Sequence, residues 1–406
     1  LRLWCGIMLT ACWSGAAAAQ TSPFRDLNLF VGGVLTYDDN VFRTPDGVTR
    51  AANQHRSDWI FEPTVSATYT RPLSLGQISL HGSTSYRFYK RNSQLNRENL
   101  DFGVNANDRV WRCDVNGDVS FARAQSDLAD LIDGGTLVNA QNSLTVGGGV
   151  LCGQNGLRPG FQYSHQIVTN SSTLRQISNH QRDSYRVQIG WERPALGRIS
   201  IYGSIVDGSY PNRPALGPGL PANDEIRTYS AGLSYNREIG VRLKGSVSVG
   251  YMKVKPRLKL VPGSKGITFA GNLTFRGSDR ISGGLSFSRG SHESNLLGVD
   301  YSVDTQLRTT VTYRLSEVVT LNGTAAWTRR QFKTTGLTSG AFDPTGASVI
   351  LIGRKDSTKE FGLGATFQSF QRLRFALQGT HTERSSGAGG FDYSANRISL
   401  TAGLRF

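Results

Sequence analysis

The fold class that this 406-residue sequence predicts is all-β: a transmembrane antiparallel up-and-down β-barrel of about 18 strands, with short periplasmic turns and long extracellular loops. Three observations lead there. Apolar and polar residues alternate with period two along the chain beyond its N-terminal apolar segment. Short turns and long polar loops alternate between those runs. The last ten residues, RISLTAGLRF, are a full alternating run that ends on an aromatic residue.

The opening stretch, LRLWCGIMLTACWSGAAAAQTSPF, reads as a secretory signal. One Arg precedes an apolar core, and a small-residue run leads to cleavage after Ala19. This divides the chain into a signal peptide, residues 1–19, and an outer-membrane β-barrel, residues 20–406. A rival reading takes LTAC as a lipoprotein box ending at Cys12, but the apolar segment before it is short for a signal core. Past this segment no run of eighteen apolar residues occurs, so helical spans are excluded.

Strand periodicity is strict. In residues 304–315, DTQLRTTVTYRL, one face is Thr305, Leu307, Thr309, Val311, Tyr313 and Leu315, and the other is Gln306, Arg308, Thr310, Thr312 and Arg314. The same rule holds for residues 78–90, 184–192, 241–253, 267–276 and 394–406. Such alternation means strands with one apolar and one polar face. Hydrophobic residues are only 38% of the chain, as expected where lipid-facing and water-facing residues take turns.

Short turns are predicted near 71–77, 109–114, 153–158, 193–198, 238–240, 277–280, 316–318 and 369–372. Long loops are predicted near 38–57, 92–97, 126–139, 169–183, 211–224, 255–266, 290–303, 333–356 and 385–393. Their alternation is the signature of an outer-membrane barrel with both termini in the periplasm. Trp59 and Trp327 then sit high, and Trp111 and Trp191 sit low, as two interfacial belts. The terminal Phe406 resembles the closing aromatic that the barrel assembly machinery reads. A fixed-repeat solenoid and a soluble sandwich both fit the uneven segment spacing worse.

A barrel this wide leaves a water-filled lumen. The polar faces place Arg186, Arg242, Lys244, Arg276, Arg308, Arg314, Arg330, Arg374, Arg397 and Arg405 along it. With a net charge of +15, this set favours an anionic solute or polymer. Two other roles stay open for these side chains: pairing with internal carboxylates, and binding lipopolysaccharide phosphates at the rims. Outer-membrane lipid and lipopolysaccharide are therefore expected partners. Nucleic acid is not, because the charge is spread over alternating strands of an exported chain rather than gathered on a binding module.

Catalytic and metal motifs are absent from the sequence. The six histidines are scattered, and no metal, phosphate-loop or nucleophile-elbow spacing occurs. No cofactor is expected, and the chain reads as not an enzyme. Ser164 next to His165 is the one neighbouring pair that an enzyme reading would use. Cys113 and Cys152 fall at predicted strand ends beside short turns. They form either a disulfide or two inert thiols.

The stretch TYDDNVFRTPDG, residues 36–47, crowds three aspartates and an asparagine into an otherwise basic chain. Its spacing does not fit a helix–loop–helix calcium loop. Adjacent carboxylates on a strand point to opposite faces, so Asp38 and Asp39 make a poor acid/base pair. The expectation is topological: Tyr37 marks the outer interface, the polar residues mark the exit into water, and RTPDG begins the first external loop. In this setting Tyr37, Asp38, Asp39, Asn40, Val41, Phe42 and Arg43 resemble the marker of the β-barrel porin 2 family. The resemblance is greatest to its exosortase-associated branch, exopolysaccharide biosynthesis transporters of the EpsL type. It implies an outer-membrane step in polysaccharide export, with the polymer and periplasmic export components as partners and no catalytic residues. General anion-selective diffusion, a barrel enzyme and an adhesive barrel are the competing readings.

Overall fold

The computed structural model describes residues 27–46, 54–125, 139–153, 156–213, 224–240, 242–258, 261–293, 300–333, 353–369, 372–387 and 391–406. The expected signal peptide, with Cys12, lies outside the described residues. The first six strands are β1 (Leu27–Asp38), β2 (Asp58–Pro72), β3 (Gln77–Tyr89), β4 (Arg97–Val110), β5 (Cys113–Gln125) and β6 (Ala140–Cys152). The next six are β7 (Gly156–Asn170), β8 (His180–Arg193), β9 (Gly197–Tyr210), β10 (Asp224–Ile239), β11 (Leu243–Pro256) and β12 (Ser264–Arg276). The last six are β13 (Ile281–Glu293), β14 (Tyr301–Arg314), β15 (Val319–Lys333), β16 (Lys355–Gln368), β17 (Leu373–Ser386) and β18 (Tyr393–Arg405).

These make one 18-stranded antiparallel sheet in which each strand pairs with its neighbours in sequence. β18 returns to β1, with register from Phe30↔Arg405 to Asp38↔Arg397. The seam continues one step further: Phe406 N donates to Leu29 O at 2.8 Å, and Leu29 N donates to Phe406 O at 3.2 Å. Closure has a physical cause, since an open edge in hydrocarbon leaves backbone groups unpaired at roughly several kcal/mol each. Every predicted turn and loop coincides with a strand boundary. The two ends therefore differ, one with short turns and one with long connections.

Alternation sets the two faces. Across the seam Val31, Leu35 and Tyr37 stand opposite Leu404, Leu400 and Ile398. On the other face Thr36 and Ser399 hydroxyls meet at 2.9 Å. The first face is apolar and bare: Ile201 is 66% exposed and Leu363 76%. A continuous belt of this kind on a water-soluble surface would drive association, so it is the lipid-facing side. Trp59 packs against Tyr37 on this face at the loop end, with ring centroids 5.2 Å apart and planes tilted by 51°. Trp111 and Trp191 are exposed at the turn end. The two aromatic girdles thus mark the two interfaces.

Cys113 and Cys152 are direct partners in the β5–β6 register and are joined as a disulfide at the turn end. Pro63 has no N–H to donate, and the β2–β3 ladder skips from Phe61↔Phe88 to Thr64↔Ser85. Beside that gap Glu62 faces inward and accepts from Arg87, Ser85 and Asn99.

Candidate pore site

The lumen-facing side chains of β7–β14 line a cavity of about 560 Å³. Arg186, Arg198 and Arg308 project into it among Gln188, Ser248, Asn272 and similar neutral polar groups. Arg186 lies over the Tyr202 ring at 3.9 Å, which fixes the guanidinium against the wall. No carboxylate belongs to this lining among the described residues.

Register puts all ten sequence-selected basic residues on the inward side or at its rim, but they do not act alike. Arg330 pairs with Asp304 at 3.1 Å, Arg397 with Asp38 at 3.1 Å, and Lys244 with Glu238 at 2.5 Å. Arg405 Nε donates to Asn28 Oδ1 at 2.7 Å. Arg276, Arg314 and Arg374 gather at the turn end with Arg242, which lies in the β10–β11 turn rather than in a strand. Their side chains meet no carboxylate among the described residues. Only Arg186 and Arg308 of the ten reach the central cavity. Sequence reasoning missed the third, Arg198, by assigning it to a turn. Its place one residue before the alternating ISIYGSIV was the available signal.

The acidic stretch corrects one expectation. Residues 38–42 do not exit into water but fold back into the barrel mouth. Asp38 is 1% exposed, Asn40 0% and Phe42 1%. Asp38 accepts from Arg43, from Arg397 and from the Asn40 N–H. Asn40 in turn donates to Thr44 O and Ser394 O at 2.8 and 2.9 Å. Arg43 adopts φ +54°, which turns the chain inward. Asp39, on the opposite face, accepts from Asn396 N and Nδ2 at 2.8 and 2.7 Å. Val41 and Phe42 then pack with Ile60, Tyr89 and Leu95. The apolar pair inside a polar loop has a reason: it closes the inner face of β1–β3.

A second inward fold lies across the barrel. The β12–β13 ladder stops at Phe269↔Arg289, although β12 begins at Ser264 and β13 runs to Glu293. Beyond that point the β13–β14 hairpin leaves the wall. Ser291 Oγ meets Thr228 Oγ1 at 3.0 Å, and Glu293 accepts from Arg182 at 3.1 Å. Tyr210 OH donates to Asp300 O at 2.8 Å, and Arg213 pairs with Asp300 at 2.8 Å. Thr228, Arg182 and Tyr210 all belong to the lumen face of β8–β10. Tyr301 and Val303 pack there with Tyr210, Ile226, Met252 and Val254.

A third node forms where β16 and β17 reach the mouth. Asp356 accepts from Arg354 at 2.6 Å, from Arg384 Nε at 3.1 Å and from Ser386 Oγ at 2.6 Å. Arg354 also lies over the Phe391 ring at 3.5 Å. In the first and third nodes one buried carboxylate gathers two arginines, and in the second Glu293 and Asp300 each hold one; desolvated charge-assisted bonds of this kind hold geometry well. The mouth is therefore narrowed from several sides while the cavity below stays open and basic.

Ser164 and His165 are neighbours on β7 and so point to opposite faces. His165 Nδ1 meets Asp183 Oδ1 at 2.9 Å on the lipid side, where Ser164 cannot join it. Among the described residues no group of three or more His, Cys, Asp or Glu side chains is placed to hold a metal.

Residues 227–406 match the family model described as "Putative beta-barrel porin 2". The match runs from β10 through β18 and includes Arg242, Arg276, Arg308, Arg314, Arg330, Arg374, Arg397 and Arg405. The Tyr37–Arg43 stretch lies outside it. Among solved structures the chain is similar to Pseudomonas aeruginosa OccK1 (OpdK), at 12% identity and TM-score 0.45, covering 94% of this chain and 99% of that one. It is similar to Pseudomonas aeruginosa OccK3 (OpdO) at 13% identity and TM-score 0.45, covering 94% and 96%. It is also similar to Pseudomonas aeruginosa OccK2 (OpdF) in complex with glucuronate, at 11% identity and TM-score 0.44, covering 94% and 98%. No curated protein sequence matches the chain. The family match covers β10–β18, and the β-barrel that its description names is the fold the closed sheet shows.

Proposed function

We propose that the protein is an outer-membrane porin whose lumen passes acidic, hydroxyl-rich solutes, and that it serves the export of an extracellular polysaccharide. The observation that carries the anionic part is the central cavity: Arg186, Arg198 and Arg308 among serines, glutamines and asparagines, with no carboxylate in the lining. Guanidinium groups match carboxylates bidentately, and amides and hydroxyls pair with sugar hydroxyls. Rings of basic side chains lower the barrier for anions and raise it for cations. The polysaccharide part rests on the resemblance of residues 37–43.

The measurement for the first part is the single-channel reversal potential in a tenfold salt gradient. Anion preference is the expected outcome, and cation preference overturns the reading. For the second part, cells lacking the protein are compared with the parent for secreted polysaccharide. Normal secretion would leave a general anion-selective diffusion porin, which the same cavity serves equally well.

A further inference from the structure

The wall is not paired to its full height. β12 pairs with β11 up to Val254↔Ser264, and β13 pairs with β14 up to Glu293↔Tyr301. Between β12 and β13 the ladder holds eight register positions and ends at Phe269↔Arg289. Beyond it, residues 264–268 of one strand and 290–293 of the other have no register partner across the seam among the described residues. Continued register would set Ile267 beside Ser291, but Ser291 lies against Thr228 on β10, two strands away. Both strands keep their other neighbours, so this is a break in the wall rather than a frayed end. One bond spans its foot: Thr268 Oγ1 donates to Arg289 O at 2.6 Å.

The foot adjoins the central cavity. Ala270 and Ser288, the register pair just below Phe269↔Arg289, both line that cavity. Arg308 stands level with Ser286 and Asn272, two positions lower on β13 and β12. Above the foot the chemistry changes. Gly266 has inward parity, and a Cβ added there would meet no atom within 4 Å, so its side of the break is open space. On the other lip, a Cβ at Gly290 would meet only His292 Nε2, at 3.9 Å. The β11 partner of Gly266 is Met252, followed by Val254, and the next residue outward is Ile267, 61% exposed. Arginines and amides thus give way to apolar side chains and then to lipid. Unpaired backbone at membrane depth is tolerated only where it is buried in protein or lines a watery cavity, which fits a break continuous with the lumen.

We propose that this break is a lateral exit from the lumen into the outer leaflet for single-chain amphiphiles with an anionic head. The head rests among Arg186, Arg198 and Arg308, and the alkyl chain runs up the inner face of β12 and leaves between Gly266 and Gly290. The head's place rests on the anionic reading of the cavity. From Asn272 to Thr268 the strand rises about 13 Å, which a short-chain acid cannot bridge. Three nodes narrow the mouth above the same cavity, so a long chain is guided sideways.

The test records single channels of the full-length protein in planar bilayers, with methanesulfonate and dodecanesulfonate as probes. They share a head and differ in chain. In wild type, blocking events by dodecanesulfonate are expected to last about tenfold longer. Gly266→Trp, which fills the open side of the break, is expected to shorten them to the methanesulfonate value and leave small-ion conductance unchanged. Equal dwell times in wild type overturn the proposal, as do long dwell times retained by Gly266→Trp. Exclusion of both probes overturns the anionic reading and this exit with it, whereas equal dwell times leave the anionic reading standing. A second measurement stands if Gly266→Trp does not fold. Native cysteines Cys113 and Cys152 are joined, so bimane labels only an introduced thiol. At Gly266→Cys it is expected to be quenched by brominated lipid chains, and at Ala270→Cys, inward below the foot, it is not. Equal shielding at the two positions means that lipid does not reach the break, and the exit is wrong.

Discussion

Arg43 holds Asp38 with both prongs of its guanidinium, Nη1 to Oδ1 and Nη2 to Oδ2, each at 2.8 Å. The pair lies within the barrel mouth. It ties a loop residue to the last residue of β1, and through Arg397 it ties both to β18. The seam where the barrel closes and the first constriction are therefore one structure. The local charge is high and buried on the Asp38 side, which makes the carboxylate the sensitive member.

Asp38→Asn leaves two guanidiniums facing a neutral amide. Breaking a buried pair in this way costs about 3–5 kcal/mol, and the low end applies because Arg397 is half exposed. The loss falls on loop docking and on the seam. Single-channel conductance is expected to rise as residues 39–44 leave the mouth, and the urea midpoint in lipid vesicles to fall. Unchanged values for both would show that the ion pair does not hold the loop.

Arg186→Gln with Arg308→Gln removes two of the three cavity cations and leaves a shorter, neutral hydrogen-bonding amide at each position. Arg198 remains, so anion preference is expected to weaken rather than reverse. Reversal potentials in a salt gradient should move toward zero, with little change in conductance. A selectivity equal to wild type would place the filter elsewhere in the lumen.

Much of this was legible in the sequence. Period two fixed the face of Leu307, Val311, Arg308 and Arg374, because side chains on a strand have no third direction. Turn and loop spacing fixed the strand count. The mouth was not legible, for two physical reasons. Asp38 and Arg397 are 359 positions apart, and no local pattern encodes such a partner. Tyr301 and Val303 carry the parity of lipid-facing residues, yet they are buried because the strand ends leave the wall. Alternation tells which side of a strand a residue occupies, not where the strand itself bends. Val41 and Phe42 were the visible hint, two apolar residues in a loop otherwise built from turn formers.

The disulfide between Cys113 and Cys152 closes a separation of 39 residues. In the chain-entropy account such a loop is worth at most about 4 kcal/mol through the unfolded state. Both residues also sit in β5–β6, a hairpin already held by thirteen register positions. Cys113→Ser/Cys152→Ser is therefore expected to fold into the same barrel with unchanged conductance and a lower urea midpoint. Gel mobility and channel recordings check the first part, and vesicle unfolding the second. Altered conductance would mean that the bond shapes the lumen.

Thr228 and Ser291 test the second constriction, since their hydroxyls lie 3.0 Å apart although their strands are not neighbours in the wall. Thr228→Cys/Ser291→Cys is expected to cross-link under mild oxidation with conductance unchanged, because the hairpin already rests inside. Tyr301→Ala removes an aromatic side chain from the cluster that holds the hairpin, at a cost of about 3–5 kcal/mol, and breaks its hydrogen bond to Pro262 O. Conductance is expected to rise. In the combined variant, oxidation should return conductance to the wild-type value by tying the hairpin back. If cross-linking instead lowers conductance in an otherwise unaltered barrel, the hairpin spends its working life out of the lumen, and the mouth is wider than its contacts imply.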